Sequence, residues 1–181
     1  MAEHTNTIKD AIQIRPLKPD EIDIRVGVVT EKGVSFLLYK DARCDMNILD
    51  ETFGVFGWKR EHNVKEGKEF CTVSVYDNFK GEWITKEDTG TESNTEKEKG
   101  LSSDAFKRAC VNFGIGRELY TAPFIFNSNI PTEPDGKGKF KIKGRLAPLK
   151  VTEIESVNKV ITKLVIVNAI NNEVVFRFAK R

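Results

Sequence analysis

The chain is poor in the residues on which reactive centres are usually built. Histidine occurs only as His4 and His62, and cysteine only as Cys44, Cys71 and Cys110, none in C-x-x-C spacing. An odd number of widely separated cysteines argues against a disulfide framework and a zinc site, and fits a reducing compartment. Cys71 and Cys110 lie among apolar residues and read as inert core thiols. A nucleophile–histidine pair would have to use His62, because His4 stands in a polar terminal stretch. In an alternating strand, His62 reads as a surface or half-buried structural residue. There is no G-x-x-x-x-G-K-[ST] loop and no strand-borne G-x-G-x-x-G; Gly114-Ile-Gly116 is a fragment of the latter, placed after a helix. The first residues lack a charged-then-apolar signal pattern, and no apolar run nears the length of a membrane span. The expectation is a soluble, cytoplasmic protein with no membrane partner, no cofactor, no metal and no catalytic residue.

Net charge is also small, at +2 from 29 basic and 27 acidic residues, so the overall sum does not point to a polyanionic partner. The distribution is more telling. Between Glu82 and Glu98 the acids Glu82, Glu87, Asp88, Glu92, Glu96 and Glu98 face only Lys86 and Lys97. From Lys137 to Lys150 there are six basic residues and no acid. Segregation of this kind matters more for partner choice than the sum.

What is present is a chain of 181 residues with enough apolar content (39%) for one domain and a real core. Residues 1–15 form a polar N-terminal segment. Lys18-Pro19-Asp20-Glu21 starts a short helix, and Val34–Tyr39 reads as a strand. Asp45 is placed to N-cap a helix carrying Met46, Leu49 and Phe53 and closed by Gly54. Three strands in meander follow: 58–64, 69–76 and 82–88, with turns at 65–68 and 77–81. In the second, Cys71, Val73 and Val75 alternate with Phe70, Thr72, Ser74 and Tyr76. Thr89 to Lys97 is a polar loop. Trp58 and Trp83 are available to stack on bases, and Trp58, ahead of a strand, is also placed to anchor the core.

The stretch 101–120 carries the strongest pattern. At 3.6 residues per turn Leu101, Ala105, Phe106, Ala109, Cys110 and Phe113 gather on one side, and Gly114 stops the helix. Lys107 falls on the far side and Arg108 at the boundary, so two adjacent cations ride on a rigid element. They suit a phosphate backbone, or they merely solubilise a surface helix. Beyond Tyr120, Phe124-Ile125-Phe126 is apolar and extended. Residues 127–150 read as a basic linker or arm, in which Lys137, Lys139, Lys141, Lys143 and Arg145 fall on every second position. If extended, this run turns all five to one face; it reads equally as a solvated loop. Residues 151–181 read as a β-hairpin about Asn171-Asn172. The predicted class is α+β, an antiparallel β-β-β-α core with an extra C-terminal β-hairpin.

Several of these segments resemble one family, the Rad-fifty-two type single-strand annealing proteins, phage members included. Asn47–Trp58 resembles its helix and Phe-Gly-x-x-Gly-Trp turn. Glu87-Asp88-Thr89-Gly90 resembles its acidic-Gly element. Ser103–Ala109 with Asn112-Phe113-Gly114 resembles its Thr-Asp-x-Leu-Lys-Arg-Ala…Phe-Gly helix. The resemblance covers roughly residues 16–120 and places the annealing core at 16–126. It implies ATP-independent single-stranded DNA binding and annealing of complementary strands in recombination and repair. It further implies an annealed duplex intermediate and a homo-oligomer, ring or helical filament, in a bacterial host cell. A partner exonuclease or single-strand-binding protein belongs to the same picture.

Residue by residue, the resemblance puts the inner phosphate contacts on Lys107 and Arg108, with Arg25 and Tyr39 at matching positions ahead of the core. Lys68 matches a position linked with an outer DNA site. Val111 stands where other members place a further Arg, which makes the inner grip weaker by a contact or shifts load toward Lys137–Arg145. The loop 89–99 is also shorter. Pooling few cations per subunit along a row of copies would give a continuous track, and exposed apolar edges such as Phe124–Phe126 or the C-terminal hairpin would supply neighbour contacts, unless they pack in their own domain. The alternatives are a single-stranded DNA protection protein that does not anneal, a nuclease using Glu87 and Asp88, and a pure protein-interaction module. Adjacent strand residues point to opposite faces, so that carboxylate pair is poorly set to share an ion.

Overall fold

A computed structural model describes residues 12–90 and 97–180, with the side chains of 97–99 excepted. His4, the segment up to residue 11 and the part of the polar loop at 91–96 lie outside the described residues. The chain divides into two compact units, one containing 46–109 and the other 16–45 with 110–181.

In the first unit the period-two pattern becomes an antiparallel sheet, β3 (Trp58–Lys65), β4 (Lys68–Asp77) and β5 (Glu82–Thr89), in the order β3-β4-β5. The elements before it are β1 (Asp23–Thr30), β2 (Gly33–Tyr39) and α1 (Ala42–Phe53). The turn between β3 and β4 uses Glu66 and Gly67, both at positive φ (52° and 75°), as a two-residue hairpin requires. Cys71, Val73 and Val75 are buried on one face of β4. Register sets Trp58, Arg60 and His62 beside them on β3, and Ile84, Lys86 and Asp88 on β5. Helix α2 (Lys97–Phe113) packs on this face. Phe106 is fully buried, with its ring stacked on Trp58 at 6.1 Å and the Arg60 guanidinium 4.6 Å from its centroid. Ser102 hydrogen-bonds Glu69 from the same helix. The β-β-β-α order and the α+β class therefore stand as expected.

In the second unit β1 and β2 pair antiparallel, and β6 (Ile125–Asn127) extends them on the far side of β2. A bulge between Val26 and Val29 interrupts the β1–β2 register, and the Ser35 hydroxyl accepts from the Val28 N–H there (2.8 Å). A short hairpin, β7 (Thr132–Pro134) with β8 (Phe140–Ile142), occupies the stretch read as a linker. The C-terminal hairpin is β10 (Val160–Asn168) with β11 (Val174–Ala179), and β9 (Leu149–Val157) adds a third strand to it. Leu164 and Ile166 are fully buried on the central strand β10.

Asp45 is not the N-cap of α1. The helix starts at Ala42, and Asp41 caps it by accepting from the Arg43 N–H at 2.7 Å. Asp45 sits one turn inside, fully buried, with its carboxylate bound by the equally buried Lys40 ammonium. The three cysteines are buried thiols that form no disulfide with one another, and no described helix is long and apolar enough to cross a membrane.

Candidate nucleic-acid interface

The rim of α2 is built from the inside out. Ala105, Phe106 and Ala109 are buried, which fixes the rotation of the helix and brings the next positions, Lys107 and Arg108, to half-buried places at its edge. Lys107 makes no ion pair among the described residues. Arg108 reaches back to β5, its Nε 3.4 Å from Asp88 Oδ1, with side chains 38% and 26% exposed. The pair is long and solvated, worth at most about 1 kcal/mol, so Asp88 holds the guanidinium only weakly. Sequence reading found the two cations and missed that one of them carries a resident carboxylate.

In the second unit Arg25 on β1 and Tyr39 on β2 share one sheet face, because Arg25 pairs with Leu37 and Asp23 with Tyr39. The guanidinium carbon lies 5.9 Å from the Tyr39 ring centroid. Leu37 on the same face is also exposed, giving a cation beside an apolar and aromatic surface. Phe126 pairs with Ser35 and stacks on Phe124 at 5.8 Å, Phe124 being largely exposed. Lys68 is exposed where the β3–β4 turn enters β4, opposite Lys65 in the register. The Lys65 ammonium is engaged with Glu87 at 2.7 Å.

The cations of 137–145 do not line one face. Only Phe140–Ile142 is strand, and Gly136, Gly138 and Gly144 at positive φ (76°, 81° and 81°) break the alternation on either side. The hairpin also folds acids onto the run. Lys141 pairs with Glu133 across β7–β8 at 3.2 Å. Asp135 accepts the backbone N–H groups of Lys137 and Lys139 (2.7 and 2.9 Å), which hold its carboxyl below the usual range. Lys137, Lys139, Lys141, Lys143 and Arg145 thus surround a tight turn.

The carboxylates considered for a nuclease are held apart. Glu87 lies on the outer sheet face, bound first by Lys65 and then by Thr72, and those bonds hold its carboxyl low. Asp88 lies on the helix-facing side with Arg108. No group of three metal-ligating side chains occurs among the described residues. His62 Nδ1 sits 3.1 Å from Glu69. Trp58 is an anchor, its indole N–H donating to Asp50 at 2.6 Å, whereas Trp83 stands exposed on the outer face. The structure thus joins Lys107 to Arg108 and Arg25 to Tyr39; Lys68, Lys107 and Arg108 belong to the first unit, and the remaining candidates to the second.

A family profile described as Rad52/22 family double-strand break repair protein matches residues 4–137. A curated protein of Deinococcus radiodurans, named single-stranded DNA-binding protein DdrA, is 38% identical over 89 residues. That alignment takes in 48% of this chain and 41% of the relative, so the chain spans about two fifths of that protein's length. No solved structure matches.

Proposed function

Because this chain belongs to the Rad52/22 family of double-strand break repair proteins, we propose that it binds single-stranded DNA and anneals complementary strands without nucleotide hydrolysis. The observation that carries this reading is the pair Lys107–Arg108 on a helix locked by Ala105, Phe106 and Ala109. Non-specific single-strand binding needs cations held along the backbone, and an anchored helix rim supplies them without the entropy cost of ordering a tail. Lys107 and Arg108 take the inner phosphates, Arg25 and Tyr39 contribute from β1 and β2, and Lys68 with the 137–145 hairpin adds weaker contacts.

Copies of the chain pool these few cations into one track, which raises avidity without new contacts per copy. Bases held away from the track test a complement, and stacking of about 1.4 kcal/mol per step drives pairing. In this reading the protein is a homo-oligomer, ring or filament, acting in the cytoplasm of a bacterial host. An exonuclease or a single-strand coat protein works upstream of it. A second reading, protection of single strands without annealing, is favoured by the relative's name, which specifies binding alone.

Double substitution Lys107→Ala, Arg108→Ala is the test. Oligonucleotide anisotropy and a donor–quencher annealing assay should both fall at least tenfold, with the thermal unfolding midpoint within a few degrees of wild type. Equal ATP-free annealing by the variant would sink the assignment. Wild-type protein that shields strands from a nuclease but never pairs them would select the protection reading.

A further inference from the structure

We propose that the outer face of the β3–β4–β5 sheet is a base-stacking platform for a single DNA strand, centred on Trp83. The proposal rests on the single-strand reading above and adds a contact of different chemistry, at the end of the sheet opposite the Lys65–Lys68 turn. Trp83 on β5 is 44% exposed although it lies within a paired strand, where an indole ordinarily gains by burial. Tyr76, its register partner on β4, meets it at 5.4 Å and 64°, so the two rings fix each other's orientation. Lys59 on β3 brings its ammonium 5.0 Å from the indole centroid. In the turn joining β4 to β5, Phe79 is 84% exposed and supplies a further ring at the same end.

The surroundings choose the occupant. Beside the rings lie the exposed Thr85 and the buried Ser74, hydrogen-bonded to each other at 2.9 Å, where a protein-docking hot spot would carry large apolar side chains. Lysines 59, 65 and 68 share this face with Glu61 and Glu87, Lys80 stands in the adjoining turn, and Glu87 is already neutralised by Lys65. An exposed indole held edge-on by Tyr76 and flanked by lysines on a β-sheet suits a stacked base with its phosphates at the flank. Every base has a π-face, so such a contact tolerates any sequence.

The test uses the full-length protein, the Trp83→Phe and Trp83→Ala variants, an oligothymidylate and an abasic strand of equal length. Oligothymidylate should quench wild-type indole emission, the abasic strand should not, and Trp83→Phe should lose the quench because Trp58 is occupied by Asp50 and Phe106. Trp83→Ala should weaken oligothymidylate binding by about tenfold. Full quenching by the abasic strand, or quenching retained in Trp83→Phe, would overturn the platform. Smaller assemblies of Trp83→Ala with unchanged strand affinity would overturn it in favour of a protein contact. Wild type that binds and anneals strands with silent indole emission removes the platform alone; wild type that binds no strand removes the proposed function with it.

Discussion

Under the proposed function, the Arg108 atoms that meet Asp88 are the same atoms that take a phosphate. The guanidinium is partnered by Asp88 at 3.4 Å, and both side chains remain partly solvated. Replacing Asp88 by Asn removes the competing charge without stranding a buried cation. Single-strand affinity at low salt should rise by about threefold, in keeping with a surface pair of under 1 kcal/mol, as read by anisotropy. A fall in affinity would show that Asp88 positions the guanidinium, and no change would place Arg108 off the strand. Sequence spacing could not have shown this pair, because Asp88 and Arg108 meet only once β5 and α2 are packed.

Cys71 makes a second prediction at this scale. Burial, the largest influence, pushes its thiol up to about 11, with Arg60 opposing. The folded state therefore holds the proton more tightly than the unfolded chain, whose thiol titrates near 9.0. Its contribution to stability is complete below pH 9 and is lost as pH rises toward 11, with a slope of up to about 1.4 kcal/mol per unit. Urea midpoints between pH 8 and 11 should fall, and Cys71→Ala should flatten that fall. Thiol reagents at pH 8 should label Cys71 only in denaturant.

At the level of elements, strong periodicity was readable and interrupted periodicity was not. Strands β3 to β5 and helix α2 each bury one face, so their two- and 3.6-residue repeats survive in the sequence. Strand β9 was hidden because Lys150, Thr152, Glu153 and Glu155 are solvent-facing, and its register with β10 shifts after Ile161 and again after Val165. The start of α1 was misjudged because two aspartates, Asp41 and Asp45, offer the same capping chemistry four residues apart, and only the buried Lys40 decides between them.

The acidic-Gly element has a physical reason that its spelling does not show. A Cβ on Gly90 would lie 2.5 Å from the Leu101 carbonyl oxygen and 3.1 Å from the Ala105 nitrogen, both backbone atoms of α2. Gly90→Ala should push the helix from the sheet and cost about 1–3 kcal/mol. Because Lys107 and Arg108 ride on that helix, binding should weaken alongside the drop in urea midpoint. An alanine variant of unchanged stability would mean that the helix seat is looser than drawn.

For the molecule as a whole, the candidate site was legible as a set of residues and not as an arrangement. Alternation puts five cations on one face between Lys137 and Arg145 only if the run is extended, but three glycines at positive φ and the return of β7 put Glu133 and Asp135 among them. Local charge there is lower than the run suggests, and salt dependence can measure the difference. Each phosphate contact on a single strand contributes a slope of about −0.7. Per bound copy, Lys107→Ala with Arg108→Ala should reduce the slope by about 1.4. Changing Lys137, Lys139, Lys141, Lys143 and Arg145 together to Ser should reduce it by well under the 3.5 that five independent contacts would give. Lys141→Ser alone should change it least, since that ammonium already has Glu133 as counterion. If the five-fold variant loses the full amount, the hairpin opens on the strand and releases its acids. If it loses nothing, the hairpin makes no phosphate contact.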